Sequence, residues 1–150
     1  MSPFVQPTAT ILVGGNPIIE ECVAENTGAS DDLKPGMLCI KGTADHQVKY
    51  AGAAAVNVVG VADIDGVHPK TTAYVEGKNV RVLKGPCVVL LTLANGESVA
   101  KGDKLIAAAT GECAAFPATP AAGDEEKIIG IAEETVDASG GAASIMVRLI

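Results

Sequence analysis

Two stretches of the chain follow one grammar of apolar and polar positions. "DLKPGMLCIKGTADHQVKY" runs from Asp32 to Tyr50 and "ESVAKGDKLIAAATGECAAF" from Glu97 to Phe116. Each reads as a polar-Gly turn, a short strand (Met37 to Lys41; Lys104 to Ala108), a polar turn and a return strand. An Ala- and Gly-rich excursion then leads to a final apolar strand, "VVGVAD" from Val58 or "IIGIAE" from Ile128. Pro35-Gly36 fits a type II turn, in which Pro presets the first central φ and Gly supplies the positive second one. Lys101-Gly102 copies it without the proline, and Asp45 and Asp103 are placed to accept from nearby backbone donors. The repetition predicts a pseudo-duplicated β structure.

Between the two units lies "KNVRVLKGPCVVLLTLANG". Val80 and Val82 alternate with polar neighbours, while Cys87 to Leu93 is a continuous apolar run, short and rich in β-branched residues, as in a strand buried on both faces. The chain closes on Ile145, Val147 and Leu149, alternating with Met146, Arg148 and Ile150. "GGNPIIEECVAEN" resists this reading: Asn16 as cap, Pro17 at the first helical position and apolar residues at 18, 19, 22 and 23 have a helical spacing. The spacing alone predicts a short helix, whereas the scarcity of helical periodicity elsewhere favours an added strand. Residues 1–9 carry two prolines and no charged side chain, which predicts an extended N-terminal arm. Residues 10–150 are expected to form a single β domain.

Composition narrows the chemistry. Hydrophobic residues make up 48% of the 150 but aromatics only 3%, so the core must be built from Val, Ile, Leu and Ala. The net charge of -7, with no stripe of Lys or Arg, argues against a phosphate-backbone ligand, and the few rings argue against base stacking. No apolar run approaches the roughly 20 residues that cross a bilayer. The N-terminus has no basic start followed by an apolar core, so synthesis in the cytoplasm is expected.

Catalytic and metal motifs are missing. Cys22, Cys39, Cys87 and Cys113 form no C-x-x-C pair and read as buried free thiols, with a disulfide within or between subunits as the alternative. His46 and His68 have no metal-ligand spacing and read as solvated loop residues. The acidic pairs Asp31-Asp32, Asp63 with Asp65 and Glu125-Glu126 read as solvated turns. "VAKGDKL" is similar to a turn of biotinyl and lipoyl carriers, yet Lys41, Lys78 and Lys84 lack the neighbours of a carrier lysine. Lys101-Gly102-Asp103 also spells an integrin-type tripeptide, read as coincidence. No cofactor, metal or enzymatic activity is expected.

The ordered series "GGNPIIEECVAE", "LKPGMLCIKGTADHQVKYAG", "VVGVADID", "EGKNVRVLKGPCVVLLTLANGESVAKGDKLIAAATGE" and "IIGIAEETVDASGGAASIMVRLI" resembles the capsid cement, or head decoration, proteins of tailed phages and prophages, over roughly residues 10–150. The resemblance implies an all-β fold, a small β-barrel or β-tulip-like domain on the outer capsid surface of a virion. The partner it implies is the major capsid protein, bound so that capsomer junctions resist internal DNA pressure. It also implies a homo-oligomer, a trimer first and a dimer second, since such proteins occupy symmetry axes. Within the arm, Pro3, Phe4, Val5, Gln6, Pro7 and Thr8 are the expected contact to a neighbouring subunit or to the capsid floor. The competing class is a virion-surface receptor- or glycan-binding module, which the low aromatic content disfavours.

Overall fold

The computed structural model describes residues 11–26, 33–64 and 71–150. The strands are β1 (Leu12–Gly15), β2 (Ile18–Ala24), β3 (Leu38–Lys41), β4 (Gln47–Tyr50), β5 (Val58–Ala62), β6 (Asn79–Lys84), β7 (Cys87–Leu93), β8 (Ser98–Val99), β9 (Lys104–Ala107), β10 (Cys113–Ala115), β11 (Ile128–Ala132), β12 (Val136–Asp137) and β13 (Ala143–Leu149). Among the described residues helical geometry is confined to single 3₁₀ turns, so the fold is all-β as the alternating pattern predicts.

The duplication is complete at the level of pairing. β2, β3, β4, β5 and β6 close a five-stranded barrel in the order β2-β4-β3-β5-β6. β7, β9, β10, β11 and β13 repeat every pairing: first with last antiparallel, first with third parallel, second with third, second with fourth and fourth with fifth antiparallel. The β7–β13 pairing closes this second ring, and β1 lies outside it on the remaining edge of β7. Even the irregularities match, since β3–β5 and β9–β11 each shift register beside the glycine of the final apolar motif.

Turn chemistry sets the corners. Gly36 and Gly102 have φ of 89° and 95°. Met37 N–H donates to Lys34 C=O and Asp103 N–H to Ala100 C=O, closing two type II turns. Gly36 N–H reaches Ala62 C=O and Gly102 N–H reaches Ala132 C=O, both at 2.8 Å, tying each turn to the end of its fourth strand. Asp103 accepts from Ala100 N–H as expected. In the other unit Gln47 accepts from Ala44 N–H, the role foreseen for Asp45.

The interiors correspond as well. Cys22, Ala24, Cys39, Val48, Ala62, Val80 and Val82 are buried in the first unit. Leu91, Leu93, Leu105, Cys113, Ala132, Ile145 and Val147 take the same positions in the second. Aliphatic and small side chains fill such narrow rings at interior packing density, which is why the chain can dispense with aromatics.

Residues 18–24 are strand β2, the alternative that the scarcity of helical periodicity favoured over the local helical spacing: β2 is the counterpart of β7 and pairs with β6. One sequence expectation needs correction. The segment from Lys78 to Gly96 does not lie between the units; it holds the last strand of one and the first of the next, with the seam at the cis Gly85-Pro86 bond.

The units stack asymmetrically. Leu38, Ala51, Val61 and Leu83, on the outside of the first ring, are buried in the core of the second. Their counterparts on the second ring are Lys104, Phe116, Ile131 and Arg148, none of them buried. Lys104 Nζ lies 5.8 Å from the Phe116 ring centre and Arg148 Nε bonds Glu133 at 2.5 Å. These long side chains cover the apolar face and end the stack, as polar caps do in repeat proteins.

Gly60 and Gly130 are equivalent close approaches: a Cβ on either would collide with the backbone carbonyl of Leu83 or of Arg148. Gly60→Ala and Gly130→Ala should therefore each destabilise by about 1–3 kcal/mol in denaturant unfolding. Gly14→Ala and Gly52→Ala, where a Cβ meets nothing within 4 Å, should stay within about 0.5 kcal/mol.

Candidate interaction surface

The residues screened for chemistry do not converge. His46 is exposed in the β3–β4 loop with φ of 62°, and its counterpart Gly111 has φ of 72°, so the left-handed position belongs to the fold. Glu125 and Glu126 are exposed in the 3₁₀ turn Asp124–Lys127. Asp63 is joined to Arg81 across 4.0 Å and caps Ile64 N–H. His68, Asp31, Asp32 and Asp65 lie outside the described residues, as do Pro3, Phe4, Val5, Gln6, Pro7 and Thr8. Lys41 and Lys78 are exposed and Lys84 pairs with Glu20, so none is presented as a carrier lysine. Among the described residues no group of three or more His, Cys, Asp or Glu could hold a metal.

All four cysteines are free and buried. Burial pushes the Cys39 and Cys113 thiols up to about 12 and raises those of Cys22 and Cys87. A thiol held neutral is a poor nucleophile, so these groups act as small hydrophobes. The perturbed carboxylates move the other way. The Lys84 ammonium lowers Glu20, Thr43 donors lower Glu25, Lys127 lowers Asp124 and the Ser139 backbone lowers Asp137.

What the surface does carry is apolar. Ile18 is 63% exposed, Val56 50% and Ile150 72%. The three line one groove of about 340 Å³ along the seam between the rings, together with Val58, Ile128 and Leu149 and the flanking charges of Lys84, Glu126 and Lys127. Ile19, 44% exposed, follows Ile18 on β2. A second opening of about 380 Å³ lies between Glu20 and Cys22 of β2, the 41–48 loop and Val59. Sequence reasoning foresaw neither, because each is lined by stretches far apart in the chain.

Comparison with known proteins decides the class. The family model described as structural cement protein (E217 gp24/Pam3 gp6) matches residues 12–149. The chain belongs to this phage structural family. The head fiber gp8.5 N base of bacteriophage phi29 is a solved structure similar in fold, with a TM-score of 0.53 and 14% identity over 90% of this chain and 95% of that one. No curated protein matches. For a member of a structural family, apolar grooves and strand edges are the features to weigh as contact surfaces.

The titration pattern gives a pH profile. The four lowered carboxylates release protons more readily folded than unfolded, so their stabilisation is complete above about pH 5 and is lost as pH falls below about 4. The raised thiols keep protons that the unfolded chain releases, so stability also declines above about pH 9. The melting temperature measured from pH 3 to pH 10 should be flat between these limits. At neutral pH a bulky thiol reagent should label the native protein at least about tenfold more slowly than the chain in denaturant, where all four thiols react.

Proposed function

We propose that the chain is a capsid cement protein that binds the outer surface of a phage head, with the major capsid protein as its partner, and holds capsomer junctions against the outward pressure of packaged DNA. The family match over residues 12–149 carries this reading. The physical features support it. Two rings, the outer face of the first buried in the core of the second, make a rigid block, and a rigid block laid across a junction adds contact area that must be broken before the capsomers separate. A protein that binds only the assembled shell stabilises it by mass action, and many copies multiply a modest interface, of roughly 1,600 Å² or less per copy.

The same reading places the protein on the virion exterior as a homo-oligomer, a trimer or a dimer, after synthesis in the host cytoplasm. Pro3 to Thr8 remain its contact segment: Phe4 and Val5 are apolar, and the flanking prolines reduce the entropy lost on docking.

Purified protein added to filled heads that lack it should bind them and raise the temperature at which they release DNA. Deleting residues 2–8 should leave the fold and its melting temperature as a monomer intact while lowering occupancy and the release temperature. Failure of the full chain to bind filled heads would remove the cement assignment for this chain.

A further inference from the structure

One strand edge of the first unit points to a contact that the described residues do not supply. In the second unit, the edge of β7 not used by β13 is covered: β1 pairs with Cys87, Val88 and Val89, Leu90 N–H donates to Ile11 C=O at 2.8 Å, and β10 takes the edge at Leu93. In the first unit the equivalent edge belongs to β2. There β4 pairs only with Val23 and Ala24, and among the described residues no strand covers Ile18 to Cys22 on that side. Val23 N–H and Glu25 N–H both point to the β4 side, donating to His46 and Val48, whereas Ala24 N–H reaches Lys78 on the other. Backbone groups alternate along a strand, so Ile19 and Glu21 aim theirs at the uncovered edge.

We infer that this edge of β2 receives the N-terminal arm of a second copy as an added antiparallel strand. Three observations select that occupant. The segment that covers the equivalent edge in the second unit is β1, directly after the arm, and β10 leaves no further room beside it on β7. Ten residues in extended form span about 33 Å, enough to reach an adjacent molecule. Pro3 and Pro7 have the same parity, so both can face outward while Phe4, Gln6 and Thr8 turn their N–H and C=O groups toward β2. The prolines would then leave the new outer edge without donors, and the addition stops at one strand.

Side chains agree. Ile18 and Ile19 sit on opposite faces of β2, 63% and 44% exposed, and Phe4 and Val5 sit on opposite faces of an extended arm, so each face gains an apolar pair. Strand addition of this kind takes affinity from the ladder and specificity from alternate side chains. Exchanged reciprocally it makes a dimer, and passed round a ring it makes a trimer. The inference deepens the cement reading by naming how copies join, but the experiment needs no shell, so its failure would leave shell binding untouched.

Sedimentation of the purified full chain should give a defined oligomer. Deletion of residues 2–8 and, separately, Glu21→Pro should each yield a folded monomer, because proline at 21 removes a donor only from the outer edge. Where Glu21→Pro lowers the circular dichroism of the fold, the double variant Ile18→Lys, Ile19→Lys serves instead. A synthetic peptide of residues 1–10 added to the deletion variant should slow amide exchange at Ile19 and Glu21 at least tenfold. An oligomer unchanged by these variants, or a peptide that protects neither amide, would overturn the inference. So would a monomeric full chain, whether its own arm protects both amides or they exchange freely.

Discussion

Everything in this structure depends on how closely the fourth strand of each unit can lie against the fifth. At Gly60 and Gly130 the backbone approaches the Leu83 and Arg148 carbonyls so nearly that no side chain fits between. That approach allows five short strands to curve into a closed ring, with a register shift at each glycine absorbing the bend. Once the ring is narrow, its interior is filled by aliphatic and small side chains, which accords with a composition rich in valine and alanine and poor in aromatics. Closure also leaves few strand edges open, so those that remain are informative.

The stacking of two rings explains the distribution of polarity outside them. The first unit presents Leu38, Ala51, Val61 and Leu83 to its neighbour, while the second presents Lys104, Phe116, Ile131 and Arg148 to solvent. A head-to-tail arrangement always leaves one unlike face at each end. One end here is covered by charge. Away from that end, the β2 edge and the seam groove keep Ile18, Ile19, Val56 and Ile150 in contact with water. If many copies sit side by side, as the cement reading has it, exposed apolar surface of this kind is a place for the next molecule.

Much of this was legible in the sequence. The two type II turns, the paired apolar motifs around Gly60 and Gly130, and the alternation of the last strand all depend on local chemistry that residue types display directly. β2 was legible only against its surroundings: apolar residues at 18, 19, 22 and 23 have a helical spacing, and it was the scarcity of helical periodicity elsewhere that favoured a strand. A long-range signal points the same way. Pro17, Cys22, Ala24 and Asn26 keep the same spacing to Pro86, Leu91, Leu93 and Asn95, so the strand is recognisable from its partner unit. The groove was beyond reach because its lining comes from separate stretches of the chain, around Ile18, Val56, Lys84, Glu126 and Ile150. The expectations for the arm fall outside the described residues and stand on composition alone.

The central claim is that a duplicated two-ring block works by bridging neighbours on the outside of a phage head. A cryo-electron reconstruction of filled heads carrying this protein tests it most directly. The account predicts two stacked rings on the outer surface, set across a junction between capsomers, with an extended strand from the adjacent copy lying along β2. Density on the inner surface, or isolated copies seated within single capsomers and touching no neighbour, would contradict it.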